Sequence, residues 1–257
     1  MLTNHLLEFF YRKLLKLINK PQYLNLEKKK LDDLNEKSYC ILENFINEDE
    51  CNSFIKSINN AKNDSNKNLL GFWSDDLMSD IRFFKFQKYD NIANNKILNN
   101  EIILDYHKAV TGRDFAEKSL MANHVIYKDN NKGSGGGWHR DTRFRTYFKA
   151  FIYLNNVDDT NGPLEIIEGS HKITEIIKSY KSRAITKDKF RFDQREINEI
   201  IKKTGAKIKR LTGKHGTLIL ANTKAIHRGM PLIKDERYAF TIYFADPKFK
   251  KDFINLN

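Results

Sequence analysis

A histidine and an aspartate two positions apart are the residues of this sequence best suited to metal chemistry. His139 and Asp141 lie in the run WHRD at 138–141, directly after the glycine-rich stretch 132–137. In an extended chain, residues two apart point to the same side, so both side chains can face one point. Two imidazoles and one carboxylate on one face of a metal, with the other face open, are typical of non-haem Fe(II). We therefore expect an iron site whose open positions take a chelating co-substrate and then O₂.

The second histidine of this site has to come from another part of the chain. His227 is the best placed, because it follows the apolar run 216–220 and precedes another strand-like run that begins near Arg237. The ends of strands in a β-barrel bring such positions together. The remaining candidates are His5, His107, His124, His171 and His215. A His-x-Asp pair alone is weak evidence, since a histidine on a strand is often only a hydrogen-bonded side chain.

Arg237 strengthens the metal hypothesis. It lies ten residues after His227 at the start of the last strand-like run, and alternation places Thr241 on its side of that strand. A guanidinium inside a barrel is costly unless an anion meets it. A dicarboxylate that chelates the metal at one end and meets Arg237 and the Thr241 hydroxyl at the other satisfies both sites. The alternative is an ordinary surface ion pair of Arg237.

Short β-like runs separated by turn signals must position these residues. The runs are 120–127, 147–154, 164–167, 216–220 and 238–244. Their spacing predicts an all-β barrel or sandwich. The charged segment 186–209 interrupts the series and is expected to be a helical insertion that acts as a lid. The stretch KGSGGG at 132–137 is expected to be a mobile hinge before the metal strand.

The first half of the chain is predicted to be more helical. Residues 1–20 form an amphipathic pattern that Pro21 ends, with Phe10 and Leu14 on its apolar face and lysines on the other side. We expect that face to pack on the body of the protein; contact with an anionic membrane is the alternative. The later predictions are a charged stretch at 26–37, a strand at 38–45, a helix from Glu48 capped by Asn47, a strand at 81–87 within an irregular region, and a helix at 96–110.

Composition limits the class of protein. The 257 residues can form one large domain, and no apolar run approaches the length of a membrane-spanning helix. Cys40 and Cys51 are too few for a disulfide scaffold, which makes a reducing cytoplasm the expected location, with peripheral membrane contact as an addition. The net charge is +12, but only 12 of the 45 basic residues are Arg, and the rest are Lys scattered along the chain. Nucleic acid is therefore an unlikely partner and a small molecule the expected one.

Five segments together resemble the phytanoyl-CoA dioxygenase (PhyH-like) branch of the Fe(II)/2-oxoglutarate-dependent oxygenases, from about Ser38 to Ala245. They are YCILENFINEDEC at 39–51, WHRD at 138–141, NGPLEIIEGSHK at 161–172, AIHRG at 225–229 and RYAFTIYFA at 237–245. The third segment, which lies between the two metal motifs, is the most specific. Arg140 departs from the Gln or Ser that the family often has there, and its side chain is expected to point away from the metal.

The resemblance implies a mainly β fold with flanking helices around a double-stranded β-helix, the jelly-roll or cupin-like core. It implies His139, Asp141 and His227 as iron ligands and Arg237 as the partner of the distal carboxylate of 2-oxoglutarate. By position it also places Phe151, Tyr153 and His124 against that co-substrate. His171 is expected near the substrate or behind the ligands.

The resemblance further implies a domain at 38–250 with a variable insertion at about 183–210, preceded by a helix and charged linker at 1–37 and followed by a tail at 251–257. The expected activity is hydroxylation of an aliphatic C–H of a small-molecule or lipid/acyl-type substrate, using O₂ and releasing succinate and CO₂. Asp141 favours hydroxylation, since relatives with a small residue there halogenate. The alternatives are a non-catalytic barrel that binds a metabolite or glycan, and a nucleic-acid demethylase, which would need a second Arg after Arg237.

Overall fold

The computed structural model describes residues 2–19, 26–64, 70–113, 117–141, 145–186 and 189–245. The strands are β1 (Tyr39–Leu42), β2 (Gly71–Ser74), β3 (Asp80–Phe84), β4 (Glu117–Ile126), β5 (Arg145–Tyr153), β6 (Leu164–Ile167), β7 (Ile208–Leu211), β8 (Leu218–Asn222), β9 (His227–Gly229) and β10 (Glu236–Ala245). The helices are α1 (Leu2–Asn19), α2 (Lys28–Lys37), α3 (Glu48–Asn63), α4 (Asn91–Ala93), α5 (Glu101–Thr111), α6 (Ile173–Lys181) and α7 (Gln194–Thr204). The predicted tail at 251–257 and the predicted helix end at 20–21 lie outside the described residues.

Two antiparallel sheets form the core of the protein. The larger has the order β1-β8-β5-β10-β4-β3-β2 and the smaller has the order β7-β6-β9. The inward side chains of β5, β8 and β10 pack against those of the small sheet, with Tyr153, Ile219 and Leu164 in one buried cluster. This arrangement confirms the predicted mainly β fold with a jelly-roll core.

Helices cover the outer face of the large sheet, because side chains along each strand point alternately inward and outward and the outward ones are also apolar. Phe148, Ile152 and Phe240 point outward from β5 and β10 into the main apolar cluster, where they meet residues of α3 and α5. Phe54 of α3 lies edge-on to Phe240 at 5.1 Å between ring centroids. The predicted cap of α3 is confirmed, since the Asn47 side chain accepts a hydrogen bond from the backbone N–H of Glu50.

Three elements differ from the sequence-based expectations. The stretch predicted as a charged linker contains α2, whose Leu34 is fully buried while most of its other side chains face solvent. In the region predicted as irregular, the predicted strand forms as β3 but ends at Phe84, and an unexpected strand, β2, pairs with it in a hairpin. The helix predicted at 96–110 begins at Glu101, because the Asn100 side chain caps it, and a π-helical turn precedes it at Asn94–Leu98. The start of α5 is set by this local cap, whereas α2 and β2 depend on contacts with the rest of the protein that outweigh a weak local signal.

The predicted insertion at 183–210 is part of the folded body. Ile197 and Ile200 of α7 are buried in a cluster with Trp138. The backbone before α7 also pairs with the metal-motif strand, since the N–H of Phe192 donates to the carbonyl of Trp138 at 2.9 Å. Its last residues, from Ile208, form β7. The segment therefore buttresses the strand that carries His139.

Helix α1 forms as predicted but docks by the opposite face. It packs on α5 and α6, and its Arg12 lies over the ring of Tyr147 at 4.9 Å. Phe10 and Leu14, expected to be buried, are 62% and 53% exposed. The correction has a simple cause: the docked face carries Leu6, Phe9 and Leu15, so this helix has apolar residues on two faces. No helix in the described part of the chain is long and apolar enough to cross a membrane.

Acid sensitivity is expected from a buried histidine of α5. His107 stacks on Phe244 at 4.4 Å, and burial lowers its pKa from 6.5 to about 3. The unfolded chain therefore binds a proton that the folded chain excludes, and stability is lost as the pH falls from about 6.5 toward 3, by about 1.4 kcal/mol per pH unit at most. Denaturant unfolding at pH 7 and pH 5 measures this. In the His107→Gln protein, the free energy of unfolding should fall less between pH 7 and pH 5 than in the parent. An equal fall in both proteins would show that His107 is not the cause.

Candidate active site

The two metal-motif histidines meet because the backbone of His139 forms an antiparallel bridge with His227 of β9. The N–H of His139 donates to the carbonyl of His227 at 2.9 Å, and the N–H of His227 donates to the carbonyl of His139 at 2.8 Å. Residues that exchange both hydrogen bonds in an antiparallel pair lie directly opposite and point to the same side. The two imidazole rings are consequently 4.3 Å apart between centroids, although 88 positions separate them in the sequence.

Asp141 joins the two histidines through strand alternation. Its backbone N–H donates to the carbonyl of Thr223 at 3.0 Å, which keeps the chain extended after His139. The carboxylate Oδ1 lies 4.0 Å from His139 Nε2. One ligand atom from each of His139, Asp141 and His227 falls within 4.8 Å of the others. The structure thus brings together the three residues that the sequence singled out.

Backbone carbonyls set the tautomer of both histidines. His139 Nδ1 lies 2.9 Å from the carbonyl of Gly137, and His227 Nδ1 lies 2.9 Å from the carbonyl of Ala225. Each Nδ1 donates to its carbonyl, which leaves the Nε2 lone pair directed at the shared point. Burial lowers the pKa of His139 to about 4 and that of His227 well below its usual value. Both rings are therefore neutral at pH 7, as metal ligands must be.

A buried lysine that the sequence analysis missed contacts the carboxylate. Lys149 of β5 places its Nζ 3.0 Å from Asp141 Oδ1 and 2.9 Å from Oδ2, and both side chains are almost fully buried. Strand alternation could have found this residue, because Lys149 lies two positions before Phe151 in the predicted strand and so points to the same, inward side. Its ammonium supplies a counter-charge to the Asp141 carboxylate inside the barrel.

The glycine-rich loop is packed against the site. A Cβ on Gly135, which has φ +92°, would lie 2.9 Å from the ring of His139, and one on Gly133 would overlap the carbonyl of Gly229. Ser134 accepts a hydrogen bond from the N–H of Gly229 at 3.0 Å. The glycines therefore permit close approach of the loop to β9 and to a ligand; the predicted hinge motion stays a prediction.

Arg237 is a buried cation whose hydrogen bonding is incomplete. It lies inside the barrel at 5% exposure, where its guanidinium donates to the carbonyl of Gly162 and, at 3.3 Å, to Asn123 Oδ1. Its Nε has no hydrogen-bond partner. Burial lowers its pKa, which indicates that the folded protein pays for holding this charge without a matching anion. A carboxylate from a ligand would remove that cost.

A chain of polar side chains, also missed from the sequence, holds Arg237 in place. Asn123 of β4 accepts from Arg237 and donates to Asp80 Oδ1 at 2.7 Å. Asp80 in turn pairs with Arg82 of β3. Only the strand register, which pairs Asp80 with Val125 and Arg237 with the same Val125, brings these residues to one place. No local sequence signal predicts it.

Three of the predicted co-substrate residues line the same inward face. Thr241 follows Arg237 by four positions on β10, and Phe151 of β5 pairs directly with it. Both face the barrel interior. Tyr153 is also inside, but its hydroxyl donates to the carbonyl of Leu211 at 2.8 Å and accepts from the N–H of Leu164 at 2.9 Å. Tyr153 therefore joins the two sheets, and its hydroxyl proton is already donated to Leu211 and not to a ligand carboxylate.

Two other predicted positions are corrected by the structure. His124 lies on the outward face of β4, stacked on Tyr238 at 3.9 Å and paired with Glu236 at 2.6 Å, because alternation turns Asn123 inward instead. His171 lies beside α2, where it bonds Ser38 Oγ at 2.6 Å and the carbonyl of Asn35 at 3.0 Å. Neither residue belongs to the group around Asp141.

Arg140 lies on the opposite side from the ligands, as expected. Its guanidinium donates to the carbonyls of Ser170 and Lys224, at 2.7 and 2.5 Å. It therefore anchors the metal-motif strand to the loops before α6 and β9. This explains how the chain accepts Arg at a position where the resembling family often has a smaller polar residue.

The residues present fit an iron ion and a dicarboxylate. Two neutral imidazoles and one carboxylate converge on one point, which is the donor set that non-haem Fe(II) prefers. The orphaned Nε of Arg237 marks a second, anionic position inside the same barrel. When bound, iron and 2-oxoglutarate would supply the electrons that activate O₂, which is the oxidant. The chain's own part is to hold them, to neutralise their charge and to limit the access of water.

Comparison with solved structures shows the same fold. The "non-heme alpha ketoglutarate dependent carbocyclase SnoK from nogalamycin biosynthesis" has a TM-score of 0.64 at 13% identity, covering 87% of this chain and 85% of its own. EctD from S. alaskensis has a TM-score of 0.61 at 19% identity, covering 86% and 77%. AviO1 from Streptomyces viridochromogenes Tue57 has a TM-score of 0.56 at 14% identity, covering 85% and 94%. EctD has been crystallised with Fe and with 2-oxoglutarate and 5-hydroxyectoine.

The sequence itself matches one family. No curated protein matches the chain. The profile of the family described as phytanoyl-CoA dioxygenase (PhyH) matches residues 34–232, a span that includes His139, Asp141 and His227 and ends just before β10. The match covers most of the chain and nearly the whole double-sheet core. The protein therefore belongs to the phytanoyl-CoA dioxygenase family and is an Fe(II)- and 2-oxoglutarate-dependent oxygenase.

Proposed function

We propose that this oxygenase hydroxylates an aliphatic C–H bond of a small-molecule or lipid/acyl-type substrate. In the balanced reaction, R–H, O₂ and 2-oxoglutarate give R–OH, succinate and CO₂, with one oxygen atom in each of the first two products. The observation that carries the proposal is the complete donor set of His139, Asp141 and His227 beside the under-bonded guanidinium of Arg237. Asp141 supports hydroxylation over halogenation, because its carboxylate would help to hold the metal where a relative with a small residue would bind a halide.

Each residue of the proposed site has a defined task. His139, Asp141 and His227 bind the metal, and Lys149 balances the charge of Asp141. Arg237 binds the far carboxylate of 2-oxoglutarate, with Thr241 and Phe151 along the same wall. Arg237 thus orients the co-substrate so that its other end reaches the metal.

The substrate is proposed to enter on the side of His139. The side chain of His139 is 15% exposed, whereas that of Asp141 is 2% exposed. Two exposed aromatic residues belong to segments that contact the metal motif or the glycine-rich loop. Arg82 lies over the ring of Trp73 and is 3.4 Å from Ser134 Oγ in that loop, and the backbone carbonyl of Phe190 accepts from the N–H of Arg140. Apolar groups at the entrance support a lipid or acyl-type substrate over a nucleic acid.

The alternatives set by the sequence are less well supported. A non-catalytic barrel does not need an intact ligand set or a buried cation awaiting an anion. A nucleic-acid demethylase is not favoured because β10 carries one arginine, Arg237, at its start. Within the described residues, the arginines that hydrogen-bond to the glycine-rich loop are Arg82 and Arg191.

Product analysis tests the proposal. With Fe(II), 2-oxoglutarate and a panel of acyl thioesters and small metabolites, we expect a product heavier by one oxygen atom, formed together with succinate. Labelled dioxygen should place the label in both compounds. The His227→Ala protein serves as the control. Succinate formation coupled to a substrate that is changed without gaining oxygen, by ring closure or epimerisation, would contradict hydroxylation but leave the oxygenase class intact.

A further inference from the structure

Helix α1 presents a continuous apolar face to solvent. Leu7, Phe10, Leu14, Leu17 and Ile18 are each between 53% and 69% exposed. Their spacing places them on one side of the helix, with Tyr11 at the edge. Exposed apolar residues are common singly, but a contiguous group of this kind marks a surface that contacts something else.

The helix is held in place by its other side, so the exposed face is a fixed feature of the fold. Leu15 and Lys16 pack against Gly112 at the end of α5. A Cβ added to Gly112 would lie within 3.1 Å of both residues. Arg12 lies over Tyr147 and pairs with Glu8 at 2.8 Å. The helix therefore does not need its second apolar face for attachment to the barrel.

The charges around this face are basic. Glu8 is the acidic residue of α1, and its pairing with Arg12 places it on the docked side. Lys13 is exposed beside the apolar face, and Arg113 lies over the ring of Tyr11 at 5.7 Å. The whole chain carries +12. An apolar face bordered by cations is the pattern of a helix that lies in the surface of an anionic bilayer.

We propose that the Leu7–Phe10–Leu14–Leu17–Ile18 face of α1 inserts into an anionic phospholipid surface and holds the enzyme there. A second copy of the chain fits this face less well, because it would bring two molecules of charge +12 together with Lys13 of each at the contact. A bilayer of acidic lipids instead complements both the apolar side chains and the cations. Helix α1 precedes the family-matched region, which begins at residue 34, so this function is separate from the oxygenase reaction.

Co-sedimentation of the full-length protein with vesicles tests the proposal. With vesicles of phosphatidylcholine and roughly one-third phosphatidylserine at low salt, most of the protein is expected in the pellet. Phe10→Ser combined with Leu14→Ser should weaken binding about tenfold or more, since two side chains no longer enter the bilayer. Lys13→Glu should weaken binding to these vesicles but not to vesicles of phosphatidylcholine alone. The melting temperature should stay unchanged, because all three residues are exposed.

A matched control distinguishes vesicle binding through α1 from nonspecific binding through other exposed apolar residues. Ile92 and Ile233 are 56% and 59% exposed on other parts of the surface, so Ile92→Ser with Ile233→Ser removes a similar apolar area. This variant should bind as the parent does. Failure of the full-length protein to sediment, or equal sedimentation of the Phe10→Ser/Leu14→Ser protein, overturns the proposal. A lipid-free dimer that the same double substitution disperses overturns it in favour of a second copy. Neither result bears on oxygenase activity, which is assayed without vesicles.

Discussion

The His227→Ala protein is expected to lose stoichiometric Fe(II) binding and, with it, all conversion of 2-oxoglutarate to succinate. His227 supplies one of three donor groups. Because its Nδ1 donates to the carbonyl of Ala225, its Nε2 keeps a lone pair that faces His139 and Asp141. Loss of a residue that only supports a ligand costs about 10–100-fold in metal affinity. Loss of the ligand itself should cost more.

Calorimetric titration with Fe(II) under argon, or with Mn(II), measures this effect directly. His215→Ala is the matched control, because His215 bonds Asn156 outside the site and its removal should leave one metal per chain. His139→Ala should behave as His227→Ala does. Asp141→Ala is the less clean test, since it strands the buried ammonium of Lys149 at a cost of about 3–5 kcal/mol and threatens the fold. Undiminished metal affinity in the His227→Ala protein would refute the ligand assignment.

The Arg237→Ala protein is expected to keep its metal but to bind 2-oxoglutarate poorly. Removal of one partner of a buried, charge-assisted pair costs about 2–5 kcal/mol, which is about 30-fold or more in the apparent KM for 2-oxoglutarate. In the absence of co-substrate, the same substitution should not lower the melting temperature much, because it also removes a buried charge that has an unpaired Nε. This combination separates a binding role from a structural one.

Arg237→Lys is the informative companion variant. It keeps a positive charge in the barrel but loses the planar fork that can meet a carboxylate while still bonding Gly162 and Asn123. We expect an affinity for 2-oxoglutarate between those of the parent and of the alanine variant. Initial rates of succinate formation against 2-oxoglutarate concentration, with metal content measured in each sample, provide the comparison. An unchanged KM in both variants would move the carboxylate site elsewhere in the barrel.

Much of the site could be predicted from residue type and spacing. His139 and Asp141 share a face through alternation, a rule that acts over two residues. Arg237 and Thr241 were placed on one face of β10 for the same reason, and the structure puts both inside the barrel. The capping of α3 by Asn47 was also predictable, since it depends on contacts within one helical turn.

The errors arose where the face of a strand or helix had to be chosen. For His124, a shift of one position exchanges inside for outside, and the register of β4 against β10 turns Asn123 toward Arg237 instead. In α1, apolar residues occur on two sides of the helix, and the position of Gly112 and Tyr147 on the body decides which side docks. Periodicity alone shows that a face exists and does not show what covers it.

Residue types and their order along the chain were enough to predict the chemistry: two histidines, one aspartate and one arginine, as an Fe(II) and 2-oxoglutarate site needs. The contacts that support these residues depend on the folded barrel, because they join residues far apart in the chain. The pairing of His139 with His227, the contact of Lys149 with Asp141 and the link from Asp80 through Asn123 to Arg237 all depend on strand order and register. Register is set by packing of the whole barrel, so no local pattern contains it.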